Sequence, residues 1–207
     1  MCQNNKLTIC SLLAILVFLS IETEAREPYE STYQPRVTND LLIKNATILD
    51  GKGAKLLRTD VSISAGKITK VEEGIVDDHA NIIDADGKWL TPGIIDVHSH
   101  LGVYPSPSIS ATSDGNESTS PNTARVWAEH SVWPQDPQFG FALAGGVTTL
   151  QILPGSANLF GGRGVTLKNV PSRTVQGMKF PGAPHSLKMA CGENPKRVYG
   201  GKNKSPA

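Results

Sequence analysis

Between residues 41 and 90, apolar residues recur in short runs parted by aspartate and glycine, the spacing of β-strands rather than helices. Residues 41–49, 60–64, 67–71, 81–85 and 88–90 read as strands, with turns at Asp50-Gly51-Lys52-Gly53, Ala65-Gly66 and Asp86-Gly87. Aspartate-glycine between such runs is a hairpin signal, so the segment reads as a small antiparallel module. The pattern then changes: Ile94, Ile95 and Val97 follow Pro92-Gly93 as a near-continuous apolar run, the mark of a strand buried on both faces. Residues 147–153 and 187–191 repeat that pattern, and 165–167 and 174–178 read as shorter extended pieces. Two helices are predicted between the first two long runs. Ser120-Pro121 opens one, with Ala124, Trp127, Ala128 and Ser131 along one face, and residues 137–144 form the other, closed by Gly145-Gly146. Strands alternating with helices imply an α/β fold with a parallel sheet.

The chain's start reads as addressing. Residues 7–21 are mostly apolar, follow Lys6 and precede Thr23-Glu24-Ala25, the form of a cleavable signal over residues 1–25 and an implied secreted or, in a bacterium, periplasmic location. Residues 26–40 are polar with Pro28 and Pro35 and read as an extended arm. With the signal removed, Cys191 is the last of the three cysteines, so no internal disulfide is possible; its neighbours Leu187, Met189 and Ala190 predict that it is buried. A formal charge of +1 gives no electrostatic case for nucleic acid or for a membrane surface after cleavage. Glycosylation acceptors stand at Asn45-Ala46-Thr47, Asn116-Glu117-Ser118 and Asn203-Lys204-Ser205.

The candidate chemistry sits at the end of the 94–99 run. Successive strand side chains alternate faces, so Asp96, His98 and His100 are expected on one side, where two imidazoles suit a zinc-like divalent ion. A bare His-x-His pair is weak evidence by itself, but two buried imidazoles without a partner are costly. Residues 102–120 form a long loop rich in Ser, Pro and Gly, of the kind that builds sites at the mouth of a barrel. Gly155, Gly161, Gly162 and Gly164 surround Arg163, and no phosphate-binding signature accompanies them. They are read as letting backbone pass close, with Arg163 a contact for a substrate carboxylate. Glu129 and His130 are read as hydrogen-bonded structural residues.

Pro92-Gly93-Ile94-Ile95-Asp96-Val97-His98-Ser99-His100 resembles the P-G-x-I-D-x-H-x-H signature of the metal-dependent amidohydrolase superfamily. Trp127-Ala128-Glu129-His130-Ser131-Val132-Trp133-Pro134, Gly145-Gly146-Val147-Thr148-Thr149 and Gly192-Glu193-Asn194-Pro195-Lys196-Arg197 are similar to its secreted, imidazolonepropionase-like branch. The resemblance implies a small β-sandwich-like module over 41–92, followed over 93–207 by the first strands of a (β/α)8 TIM-type barrel, with the rest missing. It implies a hydrolase of carbon-nitrogen bonds in small amides, cyclic amides or peptide-like substrates, using one or two divalent ions, zinc foremost. His98 and His100 are the implied metal ligands, with Glu193 as a carboxylate ligand. Lys188 is the alternative to Glu193, because some relatives bridge two metals with a carboxylated lysine. The general base is expected in the missing C-terminal part. The competing expectation is a non-catalytic remnant or a binding module with incidental histidines.

Overall fold

The computed structural model describes residues 29–78 and 80–202. The signal segment 1–25, the first residues of the arm and the acceptor at Asn203 lie outside them. The chain divides into two units between Glu30 and Ser31, and both sheets lie in the second.

The first sheet contains β1 (Leu41–Leu49), β2 (Lys55–Ser64), β3 (Lys67–Glu72), β4 (Asn81–Asp84) and β5 (Trp89–Leu90), in the order β3-β2-β1-β4 with β5 also on β1. The expected hairpins β1-β2 and β2-β3 form. In the second, Ala65 and Gly66 both have positive φ, 49° and 73°, the conformation that a tight two-residue turn requires. The expected Asp86-Gly87 hairpin does not form. β4 and β5 instead lie end to end along β1, both parallel to it, with Leu41 opposite Asn81 and Thr47 opposite Trp89. The reason is topological: the chain leaves β3 at one edge and crosses to the far side of β1, so it re-enters in β1's own direction. The module is therefore mixed rather than antiparallel. Buried Asp60 stabilises the irregular middle of β1, its carboxylate accepting the backbone N–H groups of Asn45 at 2.9 Å and Ile75 at 3.0 Å. Ala46, Ile48 and Val61 form the small core beneath.

The second sheet contains β6 (Ile94–Ser99), β7 (Val147–Ile152), β8 (Phe160–Lys168) and β9 (Ser186–Met189) in that order. β6 and β7 are parallel, as expected, but β8 is antiparallel to both neighbours and joins the extended piece expected at 165–167 to the end of the glycine-rich stretch read as a loop. Gly162 (φ 126°) has the Val126 carbonyl oxygen 2.8 Å from where a Cβ would sit, so a side chain there would collide with backbone. That close approach also explains a second departure. The helix expected after Ser120-Pro121 is absent, and only a single 3-10 turn, Ala128–His130, appears. Residues 121–126 give their backbone groups to β8 instead: Thr123 donates to Phe160, and Phe160 and Arg163 donate to Pro121 and Val126, at 2.7–3.0 Å. Tertiary pairing has overridden local preference.

Helix α1 (Pro137–Ala144) forms where expected, with Asp136 capping it through Gln138 N–H. Helix α2 (Glu193–Tyr199) follows β9. The core joins Leu150 and Ile152 of β7 to Val165 and Leu167 of β8, with Val103, Val132, Phe139 and Met178 packed over them. β6 departs from its expected burial: Ile94, Ile95 and Val97 are 53%, 64% and 68% exposed. It is an edge strand whose ladder partner is β7 alone, and more than half of each of these apolar residues is left uncovered among the described residues. Cys191 is likewise exposed, contrary to expectation, because it lies beyond the end of β9. No helix among the described residues is long and apolar enough to cross a membrane.

Candidate metal centre

β6 and β9 are the outer strands of a four-stranded sheet, which laid flat would separate them by about 14 Å. Nevertheless Lys188 Nζ of β9 lies 3.1 Å from His98 Nε2 of β6. The sheet is therefore curled, and its concave face brings its two edges together at one site. β6, β7 and β9 run the same way, so His98 and Lys188 stand near the C-terminal ends of their strands. His100 follows β6 directly, and its ring meets that of His98 edge to face with centroids 5.2 Å apart.

The two histidines converge as alternation predicts, but Asp96 does not share their side. Asp96 aligns with Leu150 and Ser99 with Ile152, two residues of one face, so a bulge between them shifts the parity of β6. The Asp96 carboxylate turns back to accept the His98 backbone N–H at 3.0 Å. His100 Nδ1 is 2.8 Å from the carbonyl oxygen of Leu153. A carbonyl only accepts, so Nδ1 carries the proton and Nε2 presents the lone pair, the orientation in which an outer hydrogen bond readies an imidazole for metal.

The electrostatics follow from these contacts. The Lys188 ammonium lowers the pKa of His98 below its ordinary value, with partial burial and His100 acting the same way and Asp96 opposing. Burial lowers the Lys188 pKa in turn, favouring the neutral amine. Two imidazoles and an amine made easier to deprotonate are a nitrogen-donor set that fits a late divalent ion.

The remaining candidates lie elsewhere. Glu193 is exposed at the start of α2. Among the described residues no group of three or more His, Cys, Asp and Glu side chains could hold a metal, so Glu193 does not join the histidine pair. Arg163 aligns with Leu187, whereas Lys188 aligns with Gly162, which puts Arg163 on the opposite face from the site. Its guanidinium lies 4.6 Å from the centre of the Trp127 ring, a cation-π contact. Glu129 is buried and paired with Lys179 at 2.6 Å, as its structural reading expects. Lys188 is the residue underweighted from sequence. Its signal was the one cation within an apolar strand, with parity opposite to exposed Met189.

No family model matches the chain. The amidohydrolase tasK of Hapsidospora irregularis is 38% identical in an alignment 160 positions long that covers 71% of this chain and 16% of that protein. A dihydroorotase of Bacillus thuringiensis is 45% identical over 60 residues, 29% of this chain and 14% of that one. Among solved structures, an amidohydrolase from Thermotoga maritima matches with TM-score 0.73 and 46% identity over 80% of this chain and 43% of its own. The chain thus spans less than half the length of each of these proteins. Sequence relatives and the matched fold together support the amidohydrolase superfamily for this chain.

Proposed function

We propose that this chain is the N-terminal part of a secreted, metal-dependent hydrolase of carbon-nitrogen bonds, acting on a small amide, cyclic amide or peptide-like substrate. The observation that carries the reading is the convergence of Lys188 on His98 at 3.1 Å across the curled sheet, beside a His100 whose Nε2 is readied for coordination. His98 and His100 would hold zinc through their imidazoles, and Lys188 takes the place expected of Glu193. As the resemblance implies, its neutral amine would add carbon dioxide: the nitrogen-carbon bond forms, a proton leaves, and the resulting carbamate supplies the carboxylate that the cluster lacks. A bound ion supplies Lewis acidity toward the carbonyl and the water of a hydrolysis. The chain's own residues bind and orient: Leu153 fixes the His100 tautomer, and the bulge at Asp96 sets the His98 backbone.

The test is zinc content and amide hydrolysis of the longer protein, measured with and without bicarbonate. His98→Ala, His100→Ala and Lys188→Ala are each expected to lose stoichiometric zinc and turnover, while Glu193→Ala retains both. Loss of zinc in Glu193→Ala with full retention in Lys188→Ala would return the third position to the glutamate. Full zinc in both histidine variants would end the metal reading.

A further inference from the structure

We propose that Tyr104 is a positioning residue for His100, through which the long loop after β6 acts on the histidine pair. The proposal rests on the reading of His100 as a metal ligand only for its effect on metal, and not for its effect on the ring. His100 is held at two places. Its Nδ1 meets the Leu153 carbonyl at 2.8 Å, and its ring meets the Tyr104 ring edge to face, centroids 5.7 Å apart at 81°. One hydrogen bond leaves an imidazole free to rock about that bond, whereas a second contact on the ring itself removes the freedom.

Tyr104 is in turn fixed at its hydroxyl and at its backbone. Its hydroxyl hydrogen-bonds to Asn116 Nδ2. Asn116 Oδ1 accepts the Ala157 N–H at 3.1 Å, and Gln138 Nε2 donates to the Tyr104 carbonyl at 3.2 Å. Gly115 and Gly155, joined by a backbone hydrogen bond of 2.6 Å, lie so close that a Cβ on Gly115 would run into the ring and one on Gly155 into the hydroxyl and the Asn116 amide. The contacts close a circuit: His100 to Leu153, along the chain through Pro154 and Gly155 to Ala157, to Asn116, to the Tyr104 hydroxyl, and back to His100. Residues 115–116 belong to the loop, and 153–157 are the segment leaving β7. The phenol hydroxyl lets both segments set one imidazole, and a phenylalanine would pack without joining them. The same contacts occupy the Asn116 amide, the acceptor atom of its glycosylation sequence.

The experiment uses nitrogen-detected resonances of the His100 imidazole in the metal-free chain, assigned by their loss in His100→Gln. The wild type is expected to show the Nδ1-protonated tautomer. Tyr104→Leu should move the ring nitrogens toward the averaged shifts of a mobile imidazole, and Tyr104→Phe should do so partly. Asn116→Ala should produce no further change once Tyr104→Phe is present, because the amide acts through the hydroxyl. Zinc binding, measured separately, should weaken about 10-fold in Tyr104→Leu, the lower end of the range for outer-shell partners. Unchanged His100 resonances in Tyr104→Leu, or additive effects of Tyr104→Phe and Asn116→Ala, would overturn the proposal. If Tyr104→Leu does not fold, the near-isosteric Phe variant and its cycle with Asn116→Ala decide alone. A His100 ring that responds to Tyr104 in a protein without zinc affinity leaves the positioning role standing and removes the metal reading.

Discussion

At the scale of single residues, the His98 and Lys188 pair makes stability depend on pH in a definite direction. His98 has a folded pKa below its ordinary 6.5, so between those two values the unfolded chain binds more protons. Stability is therefore full above about 6.5 and falls as the pH drops toward the folded value. Lys188→Met removes the first cause of that shift, and the melting temperature of the chelator-treated chain should then vary less between pH 8 and 5. An unchanged slope would sink the Coulombic explanation. The Glu129 and Lys179 pair carries a different prediction. Both side chains are at most 5% exposed, so Glu129→Ala would take the carboxylate from beside a buried ammonium and should cost about 3–5 kcal/mol in denaturant unfolding. Replacing both partners with apolar residues should recover most of that loss. A double variant as unstable as the single one would show that the pair itself, rather than the buried charge left behind, is what matters.

At the scale of elements, Asp136 joins two that the site needs. Buried at the N-cap of α1, its carboxylate accepts Gln138 N–H at 3.0 Å and also the Gly102 and Ser106 N–H groups, at 2.9 Å and 3.2 Å, from the loop leaving His100. Losing a cap costs about 1 kcal/mol, and a buried amide left without a partner adds about 1–3 kcal/mol. Asp136→Ala should therefore lower unfolding free energy in urea by about 2–4 kcal/mol. A loss under about 0.5 kcal/mol, the level of surface changes, would mean that water takes over those donors. Proline at the first helical position of α1 accords with that cap. The link to Gly102 spans 34 residues, so only the fold brings it about.

At the scale of the molecule, the edge of the second sheet is the exposed feature with the largest expected consequence. Ile94, Ile95 and Val97 present apolar side chains on a strand with one free ladder edge, an arrangement that templates pairing with other chains. The purified chain should bind hydrophobic dyes and scatter light increasingly with concentration. Val97→Lys should reduce both without lowering the melting temperature, since that side chain is already 68% exposed. A monodisperse wild-type chain at high concentration would show that the edge is protected in solution.

What the sequence determined by itself was local. The hairpins at Asp50-Gly51 and Ala65-Gly66, helix α1 and the shared face of His98 and His100 follow from spacing and turn chemistry within a few residues. Tertiary structure decided the rest. Residues 121–126 have the capping and apolar spacing of a helix, yet their backbone groups have partners on β8. Asp86-Gly87 has the composition of a hairpin turn, yet the chain had already crossed β1 before reaching it. Lys188 lies 90 residues from His98, and only the curl of the sheet brings its amine to the imidazole. Periodicity reports which way a side chain points along its own strand; which side chains meet there depends on how strands order and bend together, a property of the assembled sheet.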